Sequence, residues 1–315
     1  VPFTLVPNLA KTLPAVLNAS AFPYKAHQAA QKALIKYKQE IDKTALEKIP
    51  VSKLLEKLFG ITIKYLTRHS IPCFLGSRYA LERMKKAARI MDQDVLKKLE
   101  LALPHNVTTE MGLDLYQLST ILKDAKVSLE PDKKLEDQKL PSEFLDKWQQ
   151  FLDKYGHRGP GELDIASERY RDHPASILKQ IQSLSGEKNG NNPRSRFDAG
   201  AKEREETYHL ICDRLKDIDR GRLNRFRSTY NVWEMLGGYR ELHKYCLIYM
   251  LDKVRQRLLK DGERLVENGQ LERGEQIFDL KLEDLEKHGP WSKEDLSEIA
   301  EENTQFTDRL KNIAR

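Results

Sequence analysis

LGGYRELHKYCLIYMLDKVRQRLLK, residues 236–260, decides the fold class because its apolar residues recur at helical spacing. Four of them fall on one face of an α-helix, as expected for an amphipathic helix that packs on a core: Leu247, Leu251, Val254 and Leu258. Extending this stripe backward places Lys244 and Arg240 on the same face, one helical turn apart. The stretch therefore predicts a long helix on which two cations point toward the interior or toward a cleft.

Two cations on the inner face of a helix need partners of opposite charge. A charge removed from water is stable in a protein only when it is paired or hydrogen-bonded. Carboxylates elsewhere in the chain could satisfy Arg240 and Lys244, and so could a bound anion. The spacing of the two residues leaves both alternatives open.

The composition of the 315 residues indicates a helix-rich protein, since 32% are charged and only 8% are aromatic. The net charge of +6 and the isoelectric point near 9.0 would suit a nucleic-acid partner. However, acidic and basic residues are mixed along almost every segment, which favours a solvated surface over a phosphate-binding stripe. We therefore expect no nucleic-acid partner.

Cysteine usage and hydropathy indicate a cytoplasmic protein. The three cysteines are scattered and odd in number, which suits a reducing compartment, and they lack metal-ligand spacing: Cys73, Cys212 and Cys246. No apolar run reaches the length of about 18 residues that a membrane span needs. No charged and then apolar leader opens the chain. We expect no membrane partner and no metal site.

Polar segments suggest how the chain is divided. We expect one helical domain over residues 1–315, in which a charged segment at 123–140 separates two lobes at 1–130 and 141–315. Residues 185–200, SGEKNGNNPRSRFDAG, are poor in apolar side chains and rich in Gly, Asn and Ser. This composition predicts a mobile, exposed loop.

The segment PHNVTTEM, residues 104–111, has the features of a helix start. Asn106 and Thr108 are candidate N-caps, and Glu110 falls in the first turn, where the helix dipole favours a carboxylate. Such a start can be purely structural, or it can bind an anion through its free N–H groups. The sequence leaves both interpretations open.

The segment YGHRGPGELDI, residues 155–165, is a second candidate site. Its three glycines and one proline predict tight turns, and Arg158, Glu162 and Asp164 concentrate charge around them. The pattern matches neither a phosphate-binding loop nor a dinucleotide fingerprint. It is either a binding site or a structural turn in which Arg158 pairs with Glu162 or Asp164.

A third cationic feature precedes the deciding stretch. Four arginines occur within eight residues, at positions 220, 222, 225 and 227. They form either a solvated helix face or a surface that guides anionic ligands.

Several separated motifs occur in the order found in a known family. The runs FLDKYGHRGPGELDI, ERYRDHP, GGYRELHKY and GEQIFDLKLEDLE resemble the central domain of rifampicin phosphotransferases and of phosphoenolpyruvate-synthase-like proteins. The run PHNVTTEMGLDL resembles the same domain. The resemblance covers roughly residues 100–290.

The resemblance implies an all-α, multi-helix domain within a three-part phosphotransferase. In that family an ATP-grasp domain phosphorylates a histidine on a swivelling domain, and this histidine delivers the phosphoryl group to an acceptor held by the helical domain. The implied partners are those two domains of the same full-length protein and a small-molecule acceptor, rifamycin-like or pyruvate-like. ATP and Mg are implied on the nucleotide-binding domain, with no cofactor in this chain, which alone would be inactive.

The same resemblance assigns roles to individual residues. Arg240 and Lys244 match an Arg and a Lys that are associated with phosphoryl transfer in the family, and two cations one turn apart can grip a phosphoryl group. We expect six residues to bind the acceptor or order the site: Glu110, Met111, Arg158, Glu162, Asp164 and Glu241. A non-catalytic structural or interaction module is the alternative, and a nucleic-acid-binding helical protein is a further one.

Overall fold

The computed structural model describes residues 9–185, 192–288 and 295–313, and within these ranges it is helical with no strand. The predicted all-α, multi-helix fold class is confirmed. Within the same ranges, every helix is too short or too polar to span a membrane.

Thirteen α-helices lie within the described residues. In chain order they are α1 (Leu9–Ala21), α2 (Pro23–Ala45), α3 (Val51–Tyr65), α4 (Ile71–Ala87), α5 (Gln93–Lys98), α6 (Val107–Asp124), α7 (Ser142–Tyr155), α8 (Ala175–Ser185), α9 (Pro193–Ile218), α10 (Arg220–Leu236), α11 (Leu242–Glu267), α12 (Leu282–His288) and α13 (Ser297–Ile313). A π-helical turn, Leu66–Ser70, joins α3 to α4, and the short 3-10 helices are Leu135–Asp137, Gly237–Glu241 and Gly274–Asp279.

The chain forms two compact units, and each is assembled from separate segments. The first unit takes its described residues from Val1–Ile35, Lys64–His157 and Tyr170–Cys246. The second takes them from Lys36–Ile63, Arg158–Arg169 and Leu247–Arg315. This division differs from the predicted lobes at 1–130 and 141–315, because helices from both halves of the sequence contribute to each unit.

The main core of the first unit forms around α4, α9 and α10. Side chains at three- and four-residue spacing on α4 and α10 face each other: Leu81, Met84, Ala87, Leu223, Phe226, Tyr230 and Trp233. Ile211 and Leu215 of α9 complete this core, and both are fully buried. Since each large apolar side chain contributes about 1.5–3 kcal/mol on burial, this face fixes α4 and α10 against each other.

The second unit is held by polar contacts as well as by an apolar core. Ile41, Leu54 and Val254 are fully buried there. The Arg257 side chain donates hydrogen bonds to two carbonyl oxygens beyond the end of α2, those of Glu47 at 2.8 Å and Ile49 at 3.0 Å. These carbonyls have no partner within a helix, so the guanidinium satisfies them.

Residues 236–260 are not one continuous helix, contrary to the expectation. α10 ends at Leu236, the 3-10 helix Gly237–Glu241 follows, and α11 begins at Leu242. The two consecutive glycines allow this change of winding, which moves the residues before Leu242 off the face that α11 buries.

The stripe on α11 is also rotated from its predicted position. Val254 and Leu258 are buried, but Leu247 and Leu251 are only partly buried. In the first half of α11, the buried side chains besides that of Val254 are those of Leu242, Tyr245, Cys246, Ile248, Tyr249, Met250 and Asp252. The apolar spacing alone therefore identified the helix but not its inner face.

Part of the predicted mobile loop, residues 185–200, is helical. α9 begins at Pro193, where the missing N–H costs nothing in the first turn. The side chain of Asn192 caps this helix by accepting a hydrogen bond from the backbone N–H of Ser195 at 2.8 Å. Residues 186–191 of the predicted loop lie outside the described residues.

Candidate functional site

Two of the sequence motifs meet through their backbones in the first unit. Gly238 packs against the segment that precedes α6, and a β-carbon at this position would lie 2.6 Å from the carbonyl carbon of His105 and 2.7 Å from the backbone nitrogen of Asn106. Only glycine permits this approach. The contact brings the 3-10 helix that carries Arg240 next to the start of α6.

The start of α6 has the cap that the sequence predicted. The side-chain oxygen of Asn106 accepts hydrogen bonds from the backbone N–H groups of Thr108 and Thr109, both at 3.1 Å. His105, the residue before the cap, has a φ of 64°, in the left-handed region. This helix N-terminus is exposed enough to add its dipole to the field of a neighbouring cleft.

A cleft of about 180 Å³ opens at this point, and we call it the Arg240 cleft. Its lining comes from α4, the turn after α5, the start of α6, the end of α10 and the 3-10 helix: Phe74, Arg78, Glu100, Ala102, Leu103, Asn106, Thr109, Trp233, Gly237 and Arg240. Two arginines and a helix N-terminus therefore border one concave surface that also offers apolar side chains. This combination suits an anionic group attached to an organic molecule.

Arg240 does not point into the protein interior as the stripe predicted. Its side chain is 67% exposed, and its Nε donates a hydrogen bond to the Glu241 carboxylate at 3.0 Å. The 3-10 winding accounts for this, because it rotates Arg240 away from the inner face of α11. Lys244, in the first turn of α11, is partly buried and is not among the residues that line the cleft.

The charges of the Arg240 cleft leave it with an excess of cations. Glu100 lines the cleft, but its carboxylate pairs with Lys85 at 2.6 Å. Glu241 likewise pairs with Arg240. Within residues 9–185, 192–288 and 295–313, no carboxylate forms an ion pair with Arg78, so this arginine can accept an anion without first losing a partner. Sequence reasoning missed Arg78, since nothing in its local pattern separates it from other exposed cations on α4.

Glu110 and Met111 belong to the same helix start but lie apart from the cleft lining. The Glu110 carboxylate pairs with Lys154 at 3.1 Å, and Lys154 also reaches Asp114 at 3.3 Å. The hydroxyl of Tyr155 donates to Asp114 at 2.9 Å, and burial followed by the Asp114 charge raises the pKa of Tyr155. Glu110 thus takes part in a network that ties α6 to α7, and Met111 is partly buried on α6.

A pair of histidines lies beside the start of α6 and was not predicted. The rings of His27 and His105 are 4.0 Å apart between centroids, and Nδ1 of His27 is 3.0 Å from the hydroxyl oxygen of Tyr239. Burial lowers the pKa of both histidines, the charge of His105 lowers that of His27 further, and Glu110 opposes both shifts. The pair comes from residues 78 positions apart, so no local pattern could have indicated it.

The glycine-rich segment forms a structural turn in the second unit. Nε and Nη2 of Arg158 donate to the two carboxylate oxygens of Glu162 at 2.5 and 3.0 Å, and both side chains are nearly buried. Arg255 of α11 donates to the carbonyl oxygens of Ile165 and Ala166 at 3.2 and 3.1 Å. The sequence left open whether Arg158 pairs with Glu162 or with Asp164, and in the structure it pairs with Glu162.

Asp164 has a local role in the same turn. Its carboxylate accepts a hydrogen bond from the backbone N–H of Ala166 at 3.0 Å, and its carbonyl oxygen accepts one from Arg169 at 3.1 Å. Gly161 has a φ of 68°, and a β-carbon on Gly159 would lie 2.5 Å from the carbonyl oxygen of Glu168. The glycines are thus required by the turn itself. Arg158, Glu162 and Asp164 belong to the second unit, whereas the Arg240 cleft belongs to the first.

Comparison with protein-family models identifies the family of this chain. The family model described as the rifampicin phosphotransferase fourth domain matches residues 69–241, more than half of the 315 residues. The chain is a member of the rifampicin phosphotransferase fourth-domain family. The matched range contains every residue that lines the Arg240 cleft, from Phe74 to Arg240.

Curated relatives of this fourth-domain chain support the same assignment. The rifampicin phosphotransferase of Bacillus subtilis is 25% identical over 227 residues, which cover 69% of this chain and 26% of the relative. That of Bacillus cereus is 28% identical over 212 residues, covering 64% of this chain and 24% of the relative. A rifampicin phosphotransferase of a Streptomyces species is 28% identical, with 62% and 24% covered. The chain spans about a quarter of the length of these relatives.

Proposed function

We propose that this chain is the acceptor-binding domain of a multidomain phosphotransferase, which moves a phosphoryl group from ATP through a phosphohistidine to a small molecule. The chain corresponds to about a quarter of the length of relatives named rifampicin phosphotransferase. The nucleotide-binding and phosphohistidine domains would be further parts of the same protein, with ATP and Mg on the former. On this proposal the isolated chain binds the acceptor but does not turn over.

The Arg240 cleft is the observation that carries the proposal. It lies wholly within the range matched by the family, and it combines Arg78, Arg240 and the N-terminus of α6 on one concave surface. Phosphoryl transfer depends on cations and dipoles aimed at the phosphoryl oxygens, more than on covalent help from the protein. We assign Arg240 and Arg78 to the phosphoryl group, and we keep Lys244, which lies outside the cleft lining, as the second cation that the family resemblance implies.

The acceptor would use the apolar part of the same cleft. Phe74, Leu103 and Trp233 contribute apolar surface to its lining, and Asn106 and Thr109 contribute polar atoms. Small-molecule sites commonly combine such surfaces, with a few polar groups to fix orientation. A rifamycin-like or a pyruvate-like acceptor would present its phosphorylatable oxygen toward the two arginines.

Calorimetry on this chain tests the binding part of the proposal. Rifampicin and pyruvate are titrated separately, and we expect one of them to bind with a single site per chain. The variant Trp233→Ala removes apolar lining and should weaken binding about tenfold or more, whereas Trp148→Ala, in the α7 packing away from the cleft lining, should leave the affinity of the folded fraction unchanged. Binding of neither compound would favour a structural or interaction module instead.

A further inference from the structure

A second cleft of the first unit, about 280 Å³ in volume, is lined almost entirely by cations. Its lining residues are Arg83, Lys86, Ala87, Arg89, Arg222 and Arg225. None of them lines the Arg240 cleft, and we call this feature the five-cation cleft. It includes two of the four arginines whose role the sequence left open.

The five-cation cleft follows from the packing of two helices. Arg83, Lys86 and Arg89 are three residues apart along α4 and the turn after it, and Arg222 and Arg225 are three residues apart on α10. Residues at this spacing lie on the same side of a helix. Because α4 and α10 pack together through their apolar faces, the two cationic rows flank a single groove above that core.

Arg222 is fixed within the cleft by a carbonyl of the opposite helix. Its Nε and Nη2 donate to the carbonyl oxygen of Ala87, at 3.1 and 2.8 Å. Ala87 is the last residue of α4, so its carbonyl has no partner within the helix. This arrangement holds the guanidinium in one orientation, while the other four cations lie on the exposed rim.

The cations of this cleft differ from neighbouring cations in their ion pairing. Lys85, next to Lys86 on α4, pairs with Glu100 at 2.6 Å, and Lys98 pairs with Glu203 at 3.0 Å. By contrast, no carboxylate of the described residues forms an ion pair with any of the five cleft cations. The nearby Asp219 caps α10, where its side chain accepts a hydrogen bond from the backbone N–H of Arg222 at 3.0 Å. This hydrogen bond, and then the charges of Arg225 and Arg222, lower the pKa of the Asp219 carboxyl, so Asp219 offsets part of the charge of these two cations without forming an ion pair with them.

We propose that the five-cation cleft binds a small, soluble anion that carries two or more linked phosphate groups. Guanidinium groups donate paired hydrogen bonds that match phosphate oxygens, and four of the five cations are arginines. A single phosphate neutralises only part of this charge, whereas a chain of phosphates can contact both cationic rows. A ligand of this chemistry also relieves the repulsion among five like charges. The inference does not depend on the function proposed for the Arg240 cleft.

Calorimetric titration of the chain with inorganic tripolyphosphate tests this proposal. Orthophosphate serves as the single-phosphate probe, and a short single-stranded oligonucleotide serves as the polymer probe. We expect the chain to bind tripolyphosphate most tightly of the three. Orthophosphate should bind about tenfold or more weakly than tripolyphosphate, because it forms fewer charge-assisted hydrogen bonds.

The deciding variant is Arg89→Gln/Arg225→Gln, which removes one exposed cation from each row. Its matched control is Lys202→Gln/Lys216→Gln, which loses the same charge from exposed positions of α9. Tripolyphosphate affinity should fall about tenfold or more in the cleft variant and by less than about twofold in the control. Lys86→Gln alone should show a smaller loss of the same kind, which guards against misfolding of the double variant.

Three results would overturn the proposal. The first is an absence of tripolyphosphate binding to the folded wild-type chain. The second is an equal loss of affinity in the cleft variant and the control, which would mean binding to net charge alone. The third is oligonucleotide binding that depends on Arg89 and Arg225 more strongly than tripolyphosphate binding does, which would assign the cleft to a nucleic-acid backbone.

Discussion

Gly238 lies with its backbone against Pro104, so closely that a β-carbon at position 238 would overlap the carbonyl oxygen of Pro104. The two residues belong to motifs more than a hundred positions apart in the chain. Their contact sets the position of the 3-10 helix that carries Arg240 relative to the start of α6. The shape of the Arg240 cleft therefore depends on the close contact between Gly238 and Pro104.

Gly238→Ala should therefore destabilise the first unit. The added methyl group meets three backbone atoms that cannot move aside easily, and overpacking of this kind costs about 1–3 kcal/mol or more. Gly60→Ala is the matched control, because Gly60 is exposed in α3 and has no atom within 4 Å of the added carbon. That change should stabilise the helix by about 0.5–1 kcal/mol. Urea unfolding measures both, and equal effects would contradict the close approach.

Asn106→Ala should weaken the start of α6. It removes the side-chain oxygen that accepts from the N–H groups of Thr108 and Thr109, and loss of such a cap costs about 1 kcal/mol. Asn106→Asp keeps the acceptor and should retain the stability of the wild type. Chemical denaturation distinguishes the two variants, and the cap has no energetic role if both unfold at the same denaturant concentration.

The Arg158 and Glu162 pair should behave as a buried ion pair. Their side chains are 10% and 11% exposed, so Arg158→Met breaks a nearly buried pair by removing the guanidinium that binds both carboxylate oxygens of Glu162. We expect a loss of about 3–5 kcal/mol from this single change. The double variant Arg158→Met/Glu162→Leu should recover most of it, since both charges are then absent. A single variant as stable as the wild type would show that the pair is open in solution.

Stability should fall in mildly acidic solution because of His27 and His105. Burial lowers the pKa of both in the folded chain, so the unfolded chain takes up protons at higher pH. The stabilisation that the two neutral histidines contribute is complete above about pH 6.5. It is lost as the pH falls from there through their lowered pKa values in the folded chain. His69 has a lowered pKa as well and contributes with the same sign.

Thermal unfolding between pH 7.5 and 5 checks this dependence. The variant His27→Gln/His105→Asn should flatten the profile, and asparagine suits the positive φ at position 105. His209→Gln, at an exposed position of α9, should leave the wild-type slope unchanged. A double variant with an undiminished slope would assign the pH dependence to other groups.

The features that the sequence predicted well are those set by neighbouring residues. The all-α fold follows from apolar periodicity, and the cap at Asn106 follows from its place before an apolar run. The same logic could have found the start of α9, since Asn192 followed by Pro193 is a typical cap and first helical residue. The polar composition of residues 185–200 outweighed that signal and led to a predicted loop.

The features that the sequence did not predict depend on tertiary contacts. The inward direction assigned to Arg240 assumed a continuous helix, whereas the contact of Gly238 with the α6 start imposes a 3-10 turn. Arg78 shares the cleft with Arg240 only because α4 packs beside α10. No local pattern encodes such a relationship between segments far apart in the chain.

The most direct test of the central claim is the rate at which phosphate reaches the acceptor in the full-length protein carrying Arg240→Ala. Removing a group that stabilises transition-state charge costs about 100-fold or more in rate, so we expect a loss of this size with unchanged thermal stability. Lys244→Ala and Arg78→Ala should also reduce the rate, whereas Arg214→Ala, at an exposed position of α9, should not. A wild-type rate of transfer in a folded Arg240→Ala protein would contradict the role proposed for the Arg240 cleft.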